Sequence, residues 1–504
     1  MEEYTLDDPT LLLQAASDFG HHPGVHSDAS AKAFLHRFPL PVIINVLQTK
    51  ADVPGVESTL VACLERIFCT KHGASLIPQY MVSCLLENFG ENTVPAAQLI
   101  VEHDIYPLLL DCLINGNEQV ATASMDAIKS LAGSFEGMEI IFPANDNEAT
   151  HLRNLAARCS SLGRVRVLAL VVKLFSVSSS VASLIHNSDL LNLLEAEVCN
   201  TDDTLVTLSV LELLYELAEI QHGTEFLPRT TLVQLLSSII GNTSMESILR
   251  SRAMMISGRL LSKENIFKFI DESCVKTVIS LIDGRLRSLE SQDADECESA
   301  LETLGQIGSS IHGAELLLLS SPPAARHVID AAFDRQGRGR HLAALHALGN
   351  ISGETRSENK IMLNNDAEES LQHLIYESAS KSPKLTPSGL FLSVLQQDAE
   401  VRLAGYRVIT GLVARPWCLM EICSKQEIVN IITGAHSETT KIGMEAKYNC
   451  CKAIHWVFMS SSKLTSDPAL TGIAEKLQEA VRRGPYLARK LQEAQPVVMT
   501  ADRF

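Results

Sequence analysis

The sequence is poor in positive charge. Its 504 residues hold 42 Lys and Arg against 60 Asp and Glu, a net charge of −18. That excludes a molecule built to grip nucleic-acid phosphates over its whole surface, because such affinity rests on Lys and Arg. There is no run of 18 apolar residues, so no membrane-spanning helix is expected. No Cys-x-x-Cys occurs among the 12 cysteines, and the opening Met1-Glu2-Glu3-Tyr4 is acidic where a secretory leader would be basic. The thiols are therefore expected to be reduced, in the cytoplasm or nucleus. No stretch alternates strictly between apolar and polar, so strands are not expected. What remains is a 46% hydrophobic, 20% charged chain, which describes a folded globular protein and not a disordered one.

The apolar residues recur with a helical period. Val120, Ala123, Ser124, Ala127, Ile128 and Leu131 share one helix face, as do Val206, Ser209, Val210, Leu213, Leu214 and Leu217, and Val401, Ala404, Gly405, Val408, Ile409 and Leu412. Such stripes begin at Pro78, Val120, Val165, Val206, Leu249, Cys297, His341 and Val401, 41 to 48 residues apart except for a last interval of 60. Armadillo and HEAT arrays repeat every ~40–47 residues. The long interval contains Ser382-Pro383-Lys384-Leu385-Thr386-Pro387-Ser388-Gly389, so a loop insertion is expected near 378–389.

A second feature keeps the same register. Gly73, Gly137, Gly223 and Gly313 each follow a stripe start by 16 or 17 residues, three of them after a histidine (His72, His222, His312). A left-handed glycine there would end one helix and let the next begin. A stripe at Val56 precedes Pro78 by only 22 residues, so a unit near the N-terminus is expected to be shortened. Residues 103–114 read as the second helix of an armadillo unit and 117–132 as its third. Each unit can bury its stripe only against its neighbours. The expected fold class is all-α, an armadillo/HEAT-like right-handed superhelical solenoid. It would be one continuous domain over 1–504, with the third helices on the concave face and a divergent tail at 487–504.

No G-x-S-x-G, G-x-x-x-x-G-K-[ST], G-x-G-x-x-G or H-E-x-x-H is present, and a solenoid offers long grooves more readily than water-excluding clefts. The chain is expected to be no enzyme and to hold no cofactor and no metal. Cys418 and Cys423 make one ligand-spaced pair with no second, and Cys450-Cys451 sit in an apolar helical pattern; small buried residues fit better than a zinc site. The acidic run Asp293-Ala294-Asp295-Glu296-Cys297-Glu298 lacks the Gly and Glu of a calcium loop and suits a helix N-terminus. Arg335, Arg338 and Arg340 form the one compact basic cluster and read as a solvated inter-helix loop. Ser382-Pro383 and Thr386-Pro387 fit proline-directed phosphorylation by pattern. A peptide-reading ladder of Trp and Asn on successive third helices is missing: Ser130, Gln306 and Gly411 stand where it would need Asn, Asn350 stands alone, and Trp417 and Trp456 are the two tryptophans. That counts against a nuclear-import receptor.

The C-terminal third is more specific. Phe391-Leu392-Ser393 leads into Val401-Arg402-Leu403-Ala404-Gly405-Tyr406-Arg407-Val408 and Ala414-Arg415-Pro416-Trp417. Ala446-Lys447-Tyr448-Asn449-Cys450-Cys451-Lys452-Ala453 and Gly484-Pro485-Tyr486-Leu487 follow. This order, together with Thr303-Leu304-Gly305-Gln306-Ile307-Gly308-Ser309 before His312-Gly313, resembles the 26S proteasome non-ATPase regulatory subunit 5 family. The early repeats, the 378–389 stretch and the residues past Tyr486 depart from it. The resemblance implies an assembly chaperone of the proteasome regulatory-particle base. It would bind the C-terminal domain of one base ATPase subunit, escort that subunit's partner ATPase and the large non-ATPase scaffold subunit, and leave before the mature 26S particle forms. It implies neither nucleic acid nor membrane as partner, and a chain that is monomeric when free. A general armadillo adaptor in transport or ubiquitin signalling is the competing reading. Helix geometry puts Glu118, Gln119, Thr122, Arg166, Glu212, Glu216, Arg252, Glu298, Glu302, Arg402 and Arg407 at exposed positions of the third helices, where they would form a protein-binding patch.

Overall fold

The computed structural model describes residues 10–22, 27–49, 55–68, 105–143, 151–199, 203–288, 293–357, 361–434, 438–461 and 470–486, with isolated positions between 53 and 76. Among them every regular element is helical. Residues 1–213 and 214–504 form two compact units. The stripe at Pro78, the shortened unit around it and the tail 487–504 lie outside the described residues.

The first unit contains α1 (Thr10–Gly20), α2 (Asp28–Arg37), α3 (Leu40–Thr49), α4 (Val56–Phe68), α5 (Ile105–Asn115) and α6 (Glu118–Leu131). There follow α7 (Phe135–Ile141), α8 (His151–Arg158), α9 (Ser161–Phe175), α10 (Ser179–Asn187), α11 (Leu191–Cys199) and most of α12 (Thr204–Glu219). Two short helices then a longer one is the recurring triplet: α2-α3-α4, α7-α8-α9 and α10-α11-α12. The expected stripe is buried on α6 at Val120, Ser124, Ala127, Ile128 and Leu131. Leu12, Ala16, Leu35, Ile43, Leu60, Cys63 and Ile67 close a separate N-terminal core.

In the second unit come α13 (Gly223–Phe226), α14 (Leu232–Gly241), α15 (Ser247–Leu261), α16 (Glu272–Ser288), α17 (Ala294–Ile307), α18 (Ile311–Leu319), α19 (Ala325–Phe333) and α20 (Arg338–Ser352). The last are α21 (Asn365–Lys381), α22 (Pro387–Leu395), α23 (Ala399–Leu412), α24 (Pro416–Ser424), α25 (Gln426–Thr433), α26 (Lys441–Ser460) and α27 (Thr471–Arg483). Short 3-10 turns, Leu227–Arg229 and Glu264–Lys268, help build the first position of two triplets. The third helices α15, α17, α20, α23 and α26 pack side by side in that order. Their approach is close: a Cβ on Gly305 of α17 would stand 2.5 Å from the Ala347 Cα of α20.

Two expectations need correction. The recurring glycines are not left-handed. Positive φ occurs at Gly55, Gly337, Gly353 and Gly484 but at none of Gly73, Gly137, Gly223 or Gly313. These glycines are needed because of what lies above them. A Cβ on Gly73, Gly137 or Gly313 would stand 2.0, 1.9 or 2.0 Å from the carbonyl oxygen of Ile67, Leu131 or Ile307, the last or penultimate residue of the preceding third helix. In each case the Gly N–H donates to a capping hydroxyl three residues back, Thr70, Ser134 or Ser310, at 3.0 Å. That hydroxyl in turn donates to the same helix-end carbonyl. The junction is a Ser/Thr-x-x-Gly corner, with Gly at the third helical position. Gly223 lacks that hydroxyl: its N–H donates to the Ile220 carbonyl at 3.0 Å, and an added Cβ would stand 3.1 Å from Leu217 O.

The stretch 378–389 is not a loop insertion. Residues 378–381 end α21 and 387–389 begin α22, leaving a turn of 382–386. The extra length of that repeat lies in the 17-residue α21, against nine residues for α18, and in the connection after Gly353. Proline cannot continue α21, but at the first position of α22 its missing N–H costs nothing.

Candidate protein-binding face

The described third helices present polar side chains on the side away from the core, and these sort into two groups. Some are exposed and others hold the array together.

Glu118, Gln119 and Thr122 on α6 are exposed, as is Glu212 on α12. In the second unit Glu216 and Glu302 are exposed, and Glu302 accepts a bond from Gln306 Nε2 at 3.3 Å. Glu298 is half-buried, with its carboxylate beside Gly339 in the first turn of α20, where a helix dipole favours negative charge. Arg252 and Arg259 of α15 both lie over the Tyr215 ring, 3.9 and 4.8 Å from its centroid, and Arg259 also pairs with Glu219. Each such contact is worth ~0.5–1 kcal/mol near the surface.

The expectation that all eleven positions are exposed fails for five: the half-buried Glu298 and Arg252, and three further arginines that hold the array together. Arg166 Nη1 donates to the carbonyls of Leu113, Ile114 and Gly116 at 2.8–3.2 Å and so caps the C-terminus of α5. Arg402 pairs with the buried Glu438, which also accepts the Tyr406 hydroxyl at 2.9 Å. Arg407 pairs with Glu354 at 2.8 Å and meets His346 Nδ1 at 3.0 Å. Long cationic side chains reach neighbouring helices, and helix-end carbonyls attract them.

Sequence reasoning missed the buried part of this pattern. Glu296 is fully buried and holds both Arg250 and Arg285, at 2.6 and 2.8 Å. Asp283 accepts from Arg287, Arg326 and His327. Cations placed two to four residues after a third helix secure the carbonyl ends of third helices. Lys263 reaches Ala218 O and Glu219 O at 2.6 and 3.1 Å. Arg356 spans Gly308, Ser309 and Ser310. Arg415, buried, donates to Ser352 O and pairs with Glu368. Burial lowers the Arg356 pKa to about 10. A basic residue just past three of the stripes, Lys263, Arg356 and Arg415, was the available signal. In the Arg335–Arg340 cluster, Arg338 and Arg340 lie in α20 and not in a loop, and Arg338 pairs with Glu400 at 2.7 Å.

The four cysteines weighed as metal ligands behave as small apolar residues. Cys418, Cys423, Cys450 and Cys451 are buried and free, and burial pushes the Cys423 and Cys451 thiols up to about 11. No group of three metal-ligating side chains converges among the described residues. His312 stacks edge-on against Phe267, with centroids 4.7 Å apart. The open surface also carries apolar residues. Trp456 is 66% exposed, on the 20-residue α26, which outlasts the 14-residue α23 beside it. A cavity of about 490 Å³ lies against α16 and α18, lined by Ile279, Leu316 and Leu319 with Lys276, Asp283 and Arg287. The arrangement offers extended polar and apolar contact.

A family described as proteasome non-ATPase 26S subunit matches residues 78–501. The human 26S proteasome non-ATPase regulatory subunit 5 is 20% identical over 407 residues, 79% of this chain and 76% of that protein. The mouse protein of the same name is 21% identical over 419 residues, 82% and 77% of the two chains. Among solved structures, an engineered protein matches with a TM-score of 0.43 and 15% identity, over 80% of this chain and 94% of its own. A designed armadillo repeat protein in complex with the peptide (KR)4 matches with a TM-score of 0.38 and 13% identity, over 52% and 98%. The match over 78–501 decides the matter: the chain belongs to the proteasome non-ATPase 26S subunit family.

Proposed function

We propose that this protein is a proteasome-associated, non-catalytic binding protein, and specifically an assembly chaperone of the 26S regulatory-particle base. The observation that carries the reading is the family match across 78–501. The chaperone binds the C-terminal domain of one base ATPase subunit, travels with that subunit's partner ATPase and the large non-ATPase scaffold subunit, and is absent from the mature particle. The stacked third helices support this physically. They supply a row of helices on which carboxylates such as Glu216 and Glu302 are exposed. A stable contact needs ~1,200–2,000 Å², which a row of helices can provide. Carboxylates there favour a partner with basic patches and speed encounter more than they deepen affinity.

The same reading makes the chain one array over 1–504, monomeric when free and resident in the cytoplasm or nucleus. Sedimentation of the free chain and imaging of a tagged one test those points. The main test is affinity purification of the tagged chain from its own cells, with native gel electrophoresis and mass spectrometry. Base ATPases and the scaffold subunit without 20S core are the expected recovery. Recovery of transport cargo or ligases without base subunits would move the assignment to a general adaptor.

A further inference from the structure

The turn 382–386 carries two phosphorylation-type dipeptides, Ser382-Pro383 and Thr386-Pro387. Both acceptors are extended, Ser382 at φ −90°, ψ 152° and Thr386 at φ −136°, ψ 149°, as a following proline requires. Thr386 is exposed, with exposed Lys384 and Leu385 before it, whereas Pro387 and Ser388 after it are buried. The acceptor hydroxyl thus stands at the boundary between solvent and core.

Behind it lies a carboxylate shared by three helices. Thr386 Oγ1 accepts the Gly389 N–H at 3.2 Å and sits 3.1 Å from Ser388 Oγ. The Ser388 N–H donates to Glu421 Oε2 of α24 at 3.2 Å. Glu421 Oε1 accepts the hydroxyl of Tyr376 on α21 at 3.0 Å. The Tyr376 ring meets Trp417 edge-on, with centroids 5.7 Å apart. Burial, and then the bond to Glu421, lift the Tyr376 phenol to about 12. Glu421 therefore ties α21, α22 and α24 at one point.

We propose that Thr386 is the acceptor site of a proline-directed serine/threonine kinase, and that its phosphate works as a switch on Glu421. In the transfer, the Thr386 hydroxyl oxygen forms a bond to the γ-phosphorus of ATP. The bond from that phosphorus to the β,γ-bridging oxygen breaks, ADP leaves, and the hydroxyl proton passes to the kinase's base. The product carries ≈ −1.5 to −2 charge at pH 7. Its oxygens compete for the first-turn N–H groups of α22, including that of Ser388, where the helix dipole favours an anion. Lys384 supplies counter-charge from within the turn. The Glu421 carboxylate, two hydrogen bonds away, is repelled. Loss of its bonds to Ser388 and Tyr376 frees α24 from α21 and α22 at this point and alters the surroundings of Trp417.

The test uses the full chain with Trp456→Phe, which leaves Trp417 as the one tryptophan. It is incubated with ATP and a proline-directed kinase that is active on a Thr-Pro peptide, mapped by mass spectrometry and read by Trp417 emission. The expected result is phosphate on Thr386, retained in Thr386→Ser and lost in Thr386→Ala. The emission should shift on phosphorylation, and that shift should vanish in Glu421→Gln although phosphate is still incorporated. An unmodified Thr386, phosphate on Ser382 alone, or full modification with unchanged emission would overturn the proposal.

Discussion

A Cβ at position 313 would press on the Ile307 carbonyl oxygen, which is the end of a helix and cannot swing aside as a side chain can. Gly313→Ala, and likewise Gly137→Ala, should therefore destabilise by ~1–3 kcal/mol, the usual cost of forcing atoms into a packed site. Gly284 is the contrast. It lies exposed in the middle of α16 with nothing within 4 Å of an added Cβ. Gly284→Ala should stabilise by roughly 0.5–1 kcal/mol, since only the backbone freedom of the unfolded chain is lost. Urea midpoints for the three variants check this. Equal effects at 313 and 284 would mean that the corner imposes no steric demand. The recurrence of these glycines was legible in sequence, because a repeated structural demand leaves a repeated residue. Their reason was not. A left-handed turn and a carbonyl overhead both select Gly, and only geometry separates them.

At the scale of the element, each helix is held by its caps and by charges reaching from the next repeat. The third-helix stripes were readable because burial follows the helical period, as on α23, where Val401, Ala404, Gly405, Val408, Ile409 and Leu412 are all buried. Glu296 was not readable as a core residue, because an acidic run before a helix looks solvated until Arg250 and Arg285 are seen folding over it. Glu296→Ala leaves two largely buried guanidiniums without their anion and should cost ~3–5 kcal/mol, measured by denaturant unfolding. A loss below 1 kcal/mol would show that both arginines find water instead. The capping carboxylates set a pH dependence. Asp293 accepts the Glu296 N–H and Asp398 the Val401 N–H, and each is held below the ordinary carboxylate value. A depressed folded value contributes stability that is complete above the unfolded pKa of about 3.9. It is lost as pH falls through the folded value. The melting temperature should drop more steeply below about pH 4 in the native chain than in an Asp293→Asn, Asp398→Asn double variant, which keeps the cap acceptor without the titration.

For the whole molecule, the question is where a net charge of −18 is free to act. Carboxylates such as Glu438, Glu354 and Glu368 are already matched by Arg402, Arg407 and Arg415, so their charge is spent inside the array. Glu216 and Glu302 are exposed on third helices of the second unit and remain available to steer a partner. A Glu216→Lys, Glu302→Lys variant should therefore slow association with an isolated base ATPase C-terminal domain tenfold or more at low salt, with its melting temperature unchanged. The difference from the unmodified chain should shrink as ionic strength rises past 0.15 M, where screening sets in within about 8 Å. Arg402→Ala should do the reverse: it strands the buried Glu438 and lowers the melting temperature, affecting association only through the loss of folded protein. Stopped-flow association and calorimetry on the two variants separate steering from scaffolding. If both variants bind at the native rate, the partner docks elsewhere, and the exposed Trp456 surface of α26 becomes the next place to substitute.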